Sequence, residues 1–208
     1  MPKPSVTDLQ QLISGVVLPF YQVSRHTPLR FAPGTWENDA EHSWSLSLLA
    51  CALAPHIDEA LDIGVIAQFA TVHDLVEVHA GDTSNFASDD EKATKDERER
   101  AGLQKLQAQL TALPWVCKTI EAYESQTSAE AKFVKSVDKI LPLLFDYVED
   151  GLFYRENRIT LAEWGHKLQT QRQKASAHSG AFQYYLQMWE LLTSHPEFFY
   201  DPAAQSAK

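Results

Sequence analysis

Apolar residues recur at helical spacing along nearly the whole chain, and the expected elements follow from that period. A first helix is predicted over Val6 to Phe20, with Leu9, Leu12, Ile13, Val16 and Val17 as its apolar stripe. Tyr21 to Trp36 contains Pro28, Pro33 and Gly34 and reads as an ordered loop. Asn38-x-x-Glu41 has the form of a capping box and opens a helix with Trp44, Leu48, Leu49 and Leu53, closed at or just before Pro55. A third helix runs from about Asp58 or Asp62 to Ala80, where Gly81 supplies the stop. Thr83 to Asp90 is a polar loop, and Ser88-x-x-Glu91 caps a charged helix that includes Leu103, Leu106 and Leu110. Beyond Pro114 come a shorter helix through Glu124, a strong one over Ser128 to Asp150, another capped by Thr160-x-x-Glu163, and an aromatic-rich one over about Gly180 to Thr193. The pattern contains no strand and no repeat. It describes a single all-α domain over residues 1–208, with Lys92 to Arg100 as its most solvated part.

Three of these helices break the apolar pattern in the same way. His42 shares a face with Leu46 and Leu49; His73 and Asp74 lie among Phe69, Val72, Leu75 and Val76; Asp138 falls on the stripe of Val134, Leu141 and Phe145. A lone buried histidine is usually a satisfied core residue, but a buried carboxylate needs a partner. His, His-Asp and Asp on three core faces are together explained by a metal ion. Two imidazoles and two carboxylates suit Mn, Co, Fe, Ni or Zn. A structural zinc site would more often use cysteine, so the set points to activated water and hydrolysis. Glu77 lies one turn beyond His73 on the same face, placed to move a proton. Asp82, just past Gly81, sits at the mouth of such a site, where it would accept from a substrate hydroxyl or shape the turn. Pro142 removes the N–H that would bond to the Asp138 carbonyl, either to loosen the helix beside this ligand or as a packing kink.

Composition narrows the partners. The net charge of −10 argues against a nucleic-acid polymer, which needs a basic face. A small phosphorylated substrate requires a local reversal of sign by a metal and arginines. No stretch approaches a membrane span, no secretory leader is expected, and Cys51 and Cys117 read as small buried hydrophobes of a reducing compartment. A cytoplasmic location is expected.

Taken together, His42, His73-Asp74 and Asp138 resemble the H…HD…D signature of the HD-domain hydrolases. More narrowly, Glu37–Trp44, His73–Asp82 and Glu130–Lys139 resemble the branch that contains bacterial 5'-deoxynucleotidases, over about residues 20 to 150. The resemblance implies a single-domain HD-type helical bundle, completed by residues 151 to 208. It implies one divalent metal ion (Mn, Co, Fe, Ni, Zn or Mg) held by His42, His73, Asp74 and Asp138, a catalytic role for Glu77, and contact of Asp82 with a deoxyribose 3'-hydroxyl. Arg25, or its competitor Arg30, would hold the phosphate. Nucleotidase members often carry Trp after this arginine, where this chain has His26. The implied reaction is hydrolysis of a nucleoside 5'-monophosphate by metal-activated water, and the implied assembly is a homodimer. The aromatic run from Phe182 to Tyr200 would then be core or dimer interface. Alarmone hydrolysis, a rival HD chemistry, looks to need a second acidic residue where Val78 follows Glu77. A metal-stabilised binding protein without turnover would need neither Glu77 nor Asp82.

Overall fold

The computed structural model describes residues 3–28 and 34–205. Its helices are α1 (Val6–Leu12), α2 (Leu18–Phe20), α3 (Asp39–Leu53), α4 (Ile63–Val72), α5 (Glu77–Ala80), α6 (Asp89–Ala93), α7 (Lys95–Gln109), α8 (Trp115–Glu124), α9 (Ala129–Val148), α10 (Leu152–Glu156), α11 (Leu161–Lys167), α12 (Gln169–Ala175), α13 (Ser179–Thr193) and α14 (Pro202–Gln205). A π-helical turn, Ile13–Val17, joins α1 to α2. Strands β1 (Ser24–Pro28) and β2 (Trp36–Asn38) pair antiparallel with an irregular register.

Side chains cap about half of the helix starts. Asn38 Oδ1 accepts from the amides of Ala40 and Glu41, and the Glu41 carboxylate accepts from the Asn38 amide. Ser88 with Glu91 and Thr160 with Glu163 form the same reciprocal box. The long helix α9 is the hub, packed against α3, α4, α12 and α13. It buries Phe133, Val134, Val137 and Leu141 completely or nearly so. The C-terminal aromatics belong to this core: Tyr154 stacks on Phe199 at 4.9 Å, and Trp164 meets Trp189 at 4.3 Å.

The structure departs from the periodicity in five places. The charged helix expected from Ser88 through Leu110 is two, since the Ser88 box caps only α6 and α7 begins anew after Thr94. The loop expected over Tyr21 to Trp36 contains the β1–β2 hairpin; its polar Ser24-Arg25-His26-Thr27 carries no apolar alternation, so pairing rather than pattern defines it. The third helix is not continuous. It begins after Asp62, which caps it, and breaks after Val72 into a turn bonded Val72 O to Leu75 N (3.1 Å) and Asp74 O to Glu77 N (2.8 Å). Gly81, at φ 73°, supplies the expected stop. Of the stripe expected on the first helix, only Val16 is buried; Leu9 and Ile13 are about half exposed, at 47% and 49%. Trp44 and Leu48 also face outward, because α3 turns His42, Ser43, Leu46 and Ala50 to the core. Cys117 is buried and Cys51 only half-buried, both as free thiols. Among the described residues no helix is long and apolar enough to cross a membrane.

Candidate metal centre

Three elements bring the polar exceptions together. The capped start of α3 delivers His42, the turn after α4 delivers His73 and Asp74, and the middle of α9 delivers Asp138. His42 Nε2 lies 3.1 Å from Asp138 Oδ1, and His73 Nε2 lies 3.0 Å from Asp74 Oδ2 and 3.8 Å from Asp138 Oδ1. One ligand atom from each of His42, His73 and Asp138 falls within 4.8 Å of the others. The break after Val72 matters here, because it lets neighbours in sequence face one point.

The imidazoles are oriented from behind. His73 Nδ1 donates to the Ala70 carbonyl at 3.0 Å, which leaves the lone pair on Nε2. That nitrogen is buried and has no hydrogen-bond partner. His42 Nδ1 lies 3.5 Å from the buried carboxylate of Glu37. Imidazoles backed by a carbonyl or carboxylate, with the free nitrogen aimed at carboxylate oxygens, are the donor set of a divalent cation. The residues fit such an ion.

Around this cluster lies a second one of acids. Asp39, Asp74 and Glu77 place an oxygen each within 4.8 Å of one another. Arg25, delivered by β1, holds two of them: one guanidinium nitrogen is 2.9 Å from Asp74 Oδ2 and 3.1 Å from Asp39 Oδ1, and Nε is 3.6 Å from Glu37. The carboxyls separate into two kinds. Burial pushes Asp74 upward, but His73 and Arg25 outweigh it and hold that group below the usual carboxylate range. Burial likewise opposes Asp138, where Lys139, 2.6 Å away, and His42 hold it well below. Burial, then Asp74, raises Asp39 to about 6. Burial, then Asp74 and Asp39, raises Glu77 well above its ordinary value, although Lys95 Nζ lies 3.6 Å from its Oε1. Asp74 and Asp138 are thus pushed toward the ionised form that binds a cation, and Glu77 toward the protonated one.

One cavity is lined by Arg25, Asp74, Glu77, Asp82, Lys95, Asp138 and Lys139. Every sequence-derived site residue lies on it or beneath it except Arg30, which lies outside the described residues. The sequence reading missed Glu37, Asp39 and Lys139. The first two sit at a helix start, where acids are commonplace, and Lys139 follows Asp138 with nothing to set it apart. The run Lys92 to Arg100 is not uniformly solvated: Lys95 turns toward Glu77, and Arg98 donates to the Ala80 carbonyl and Thr83. His79, off the His73 face, is bonded to Gln109 at 3.0 Å.

The chain belongs to the HD domain family, which it matches over residues 21–179. Among solved structures it is similar to a predicted metal-dependent phosphohydrolase from Magnetospirillum magnetotacticum MS-1, at 25% identity and a TM-score of 0.76, over 94% of this chain and 96% of that one. A search among curated proteins returns no match.

Proposed function

We propose that the chain is a metal-dependent phosphohydrolase that acts on nucleoside 5'-monophosphates. The observation that carries the reading is His73 Nε2, an orphaned buried lone pair aimed at the oxygens of Asp74 and Asp138. His42, His73, Asp74 and Asp138 would hold one divalent ion, which when bound supplies positive charge and an acidified water. The description of the Magnetospirillum protein supports the general chemistry. The nucleotide rests on the resemblance of the three signature segments.

The chain's own residues do the remainder. Arg25, Lys95 and Lys139 offset the acids of the cavity in part, and together with the bound ion they would admit a phosphate dianion despite the net charge of −10. Glu77 Oε2 is buried without a partner, which supports a role for Glu77 in passing a proton to the departing 5'-oxygen. Asp82 lies on the cavity wall after Gly81, which supports a role in accepting from a sugar hydroxyl.

Phosphate release from a panel of nucleoside monophosphates, with Mn²⁺ or Co²⁺ supplied, tests this. Glu77→Ala is expected to cut release by roughly 10²–10⁴-fold while metal content, measured by elemental analysis, stays near that of wild type. Wild-type protein that binds metal yet releases phosphate from none of the panel overturns the reading.

A further inference from the structure

The cavity extends well past the metal centre, and its far end is built by the C-terminal helices. Helix α9 runs along it: Asp138 and Asp146 are eight residues apart and both line the wall. At helical rise this separates them by about 12 Å, a span suited to a phosphate, a pentose and the near part of a base. Tyr154 of α10 is bonded to Asp146, and Gln171 of α12 and Tyr185 of α13 line the same cavity.

Two polar groups at this end have no partner. Tyr185 is completely buried, yet its hydroxyl makes no hydrogen bond, and the Gln171 Oε1 atom is buried and equally unbonded. Sealing such groups from water without partners is costly. Their neighbour shows what satisfaction looks like: Trp164 Nε1 donates to the Tyr154 hydroxyl at 2.8 Å, which in turn donates to Asp146 Oδ2. Gln171 Oε1 can only accept, and the Tyr185 phenol can take either role, so the group that satisfies both presents an N–H donor toward Gln171.

We infer that Gln171, Tyr185 and Asp146 form a recognition wall that reads the leaving group's distal ring, selecting an amino-bearing base over one that shows a carbonyl there. This deepens the phosphohydrolase reading and rests on it for the position of the phosphate. None of the three belongs to the metal centre, so the effect belongs in KM and in preference rather than in the chemical step.

The test compares deoxycytidine and deoxyuridine monophosphates, with p-nitrophenyl phosphate as a leaving group lacking N–H donors. Wild type is expected to prefer deoxycytidine monophosphate. In Tyr185→Phe and Gln171→Leu the kcat/KM ratio of that substrate to p-nitrophenyl phosphate should fall by about tenfold, through KM. An unchanged ratio in both variants overturns the wall. Wild type that hydrolyses no phosphomonoester overturns the phosphohydrolase reading alone. The wall is then judged by calorimetric binding of deoxycytidine, which needs no chemistry: weaker binding in both variants supports it, and no binding or equal affinity in all three proteins overturns it.

Discussion

Arg25 is the residue on which the acids of the site depend. Its guanidinium faces Glu37, Asp39 and Asp74 within 3.6 Å, so it neutralises the wall before it meets any phosphate. A lysine could not span three carboxylates in one plane. Asp146 is a different kind of acid, raised by burial to about 7, with the Tyr154 hydrogen bond pulling the other way. The folded chain therefore keeps this proton over a window in which the unfolded chain, titrating near 4, has lost it. The contribution to stability is fully present below about pH 4 and declines as pH rises to about 7. Asp146→Asn should remove that decline, so that its stability relative to wild type grows by on the order of 2 kcal/mol across the window. Urea melts of both proteins at several pH values measure it; parallel curves would show that Asp146 titrates normally. At this scale His42, His73 and Asp138 were legible because ionisable groups on apolar stripes stand out. Glu37, Asp39 and Lys139 were not, since nothing in their neighbours marks the first two as buried or the third as lining the cavity.

Elements were legible where a local rule decides them. The boxes at Asn38, Ser88 and Thr160, the length of α9 and the extent of α13 all follow from caps and periodicity. The break between α4 and α5 did not, because Phe69 to Val76 is apolar at unbroken helical spacing and the turn is fixed from outside. Gly102 of α7 is part of that outside support: a Cβ there would lie 2.6 Å from the Val76 carbonyl. Gly102→Ala must push α7 off the turn that carries Glu77, and should cost about 1–3 kcal/mol despite the better helix propensity of alanine. Equilibrium denaturation reads the cost; a gain in stability would mean that the two elements separate freely. The faces of α1 and α3 were misjudged for a simpler reason. Trp44 and Leu48 are apolar but exposed, and periodicity cannot tell an inward stripe from an outward one.

For the whole molecule, the metal centre ties α3, the turn after α4 and α9 into one body. An ion bound only by the folded chain adds stability by mass action, about 4 kcal/mol at a thousandfold excess over Kd. Chelation should then lower Tm by roughly 8–16 °C, given about 2–4 °C per kcal/mol at this size. Added Mn²⁺ should restore it, and His42→Ala should respond to neither treatment. Scanning calorimetry with and without chelator is sufficient, and coincident transitions would remove the ion from the account of stability. The same helix that carries Asp138 also carries Asp146 two turns on, which gives α9 the character of a ruler with phase. One residue inserted between them would swing Asp146 by about 100° and off the cavity, whereas four would bring it nearly back into line some 6 Å further away. Length changes in this segment would therefore reset which substrates reach both ends of the cavity, and only changes close to whole helical turns would leave a working enzyme.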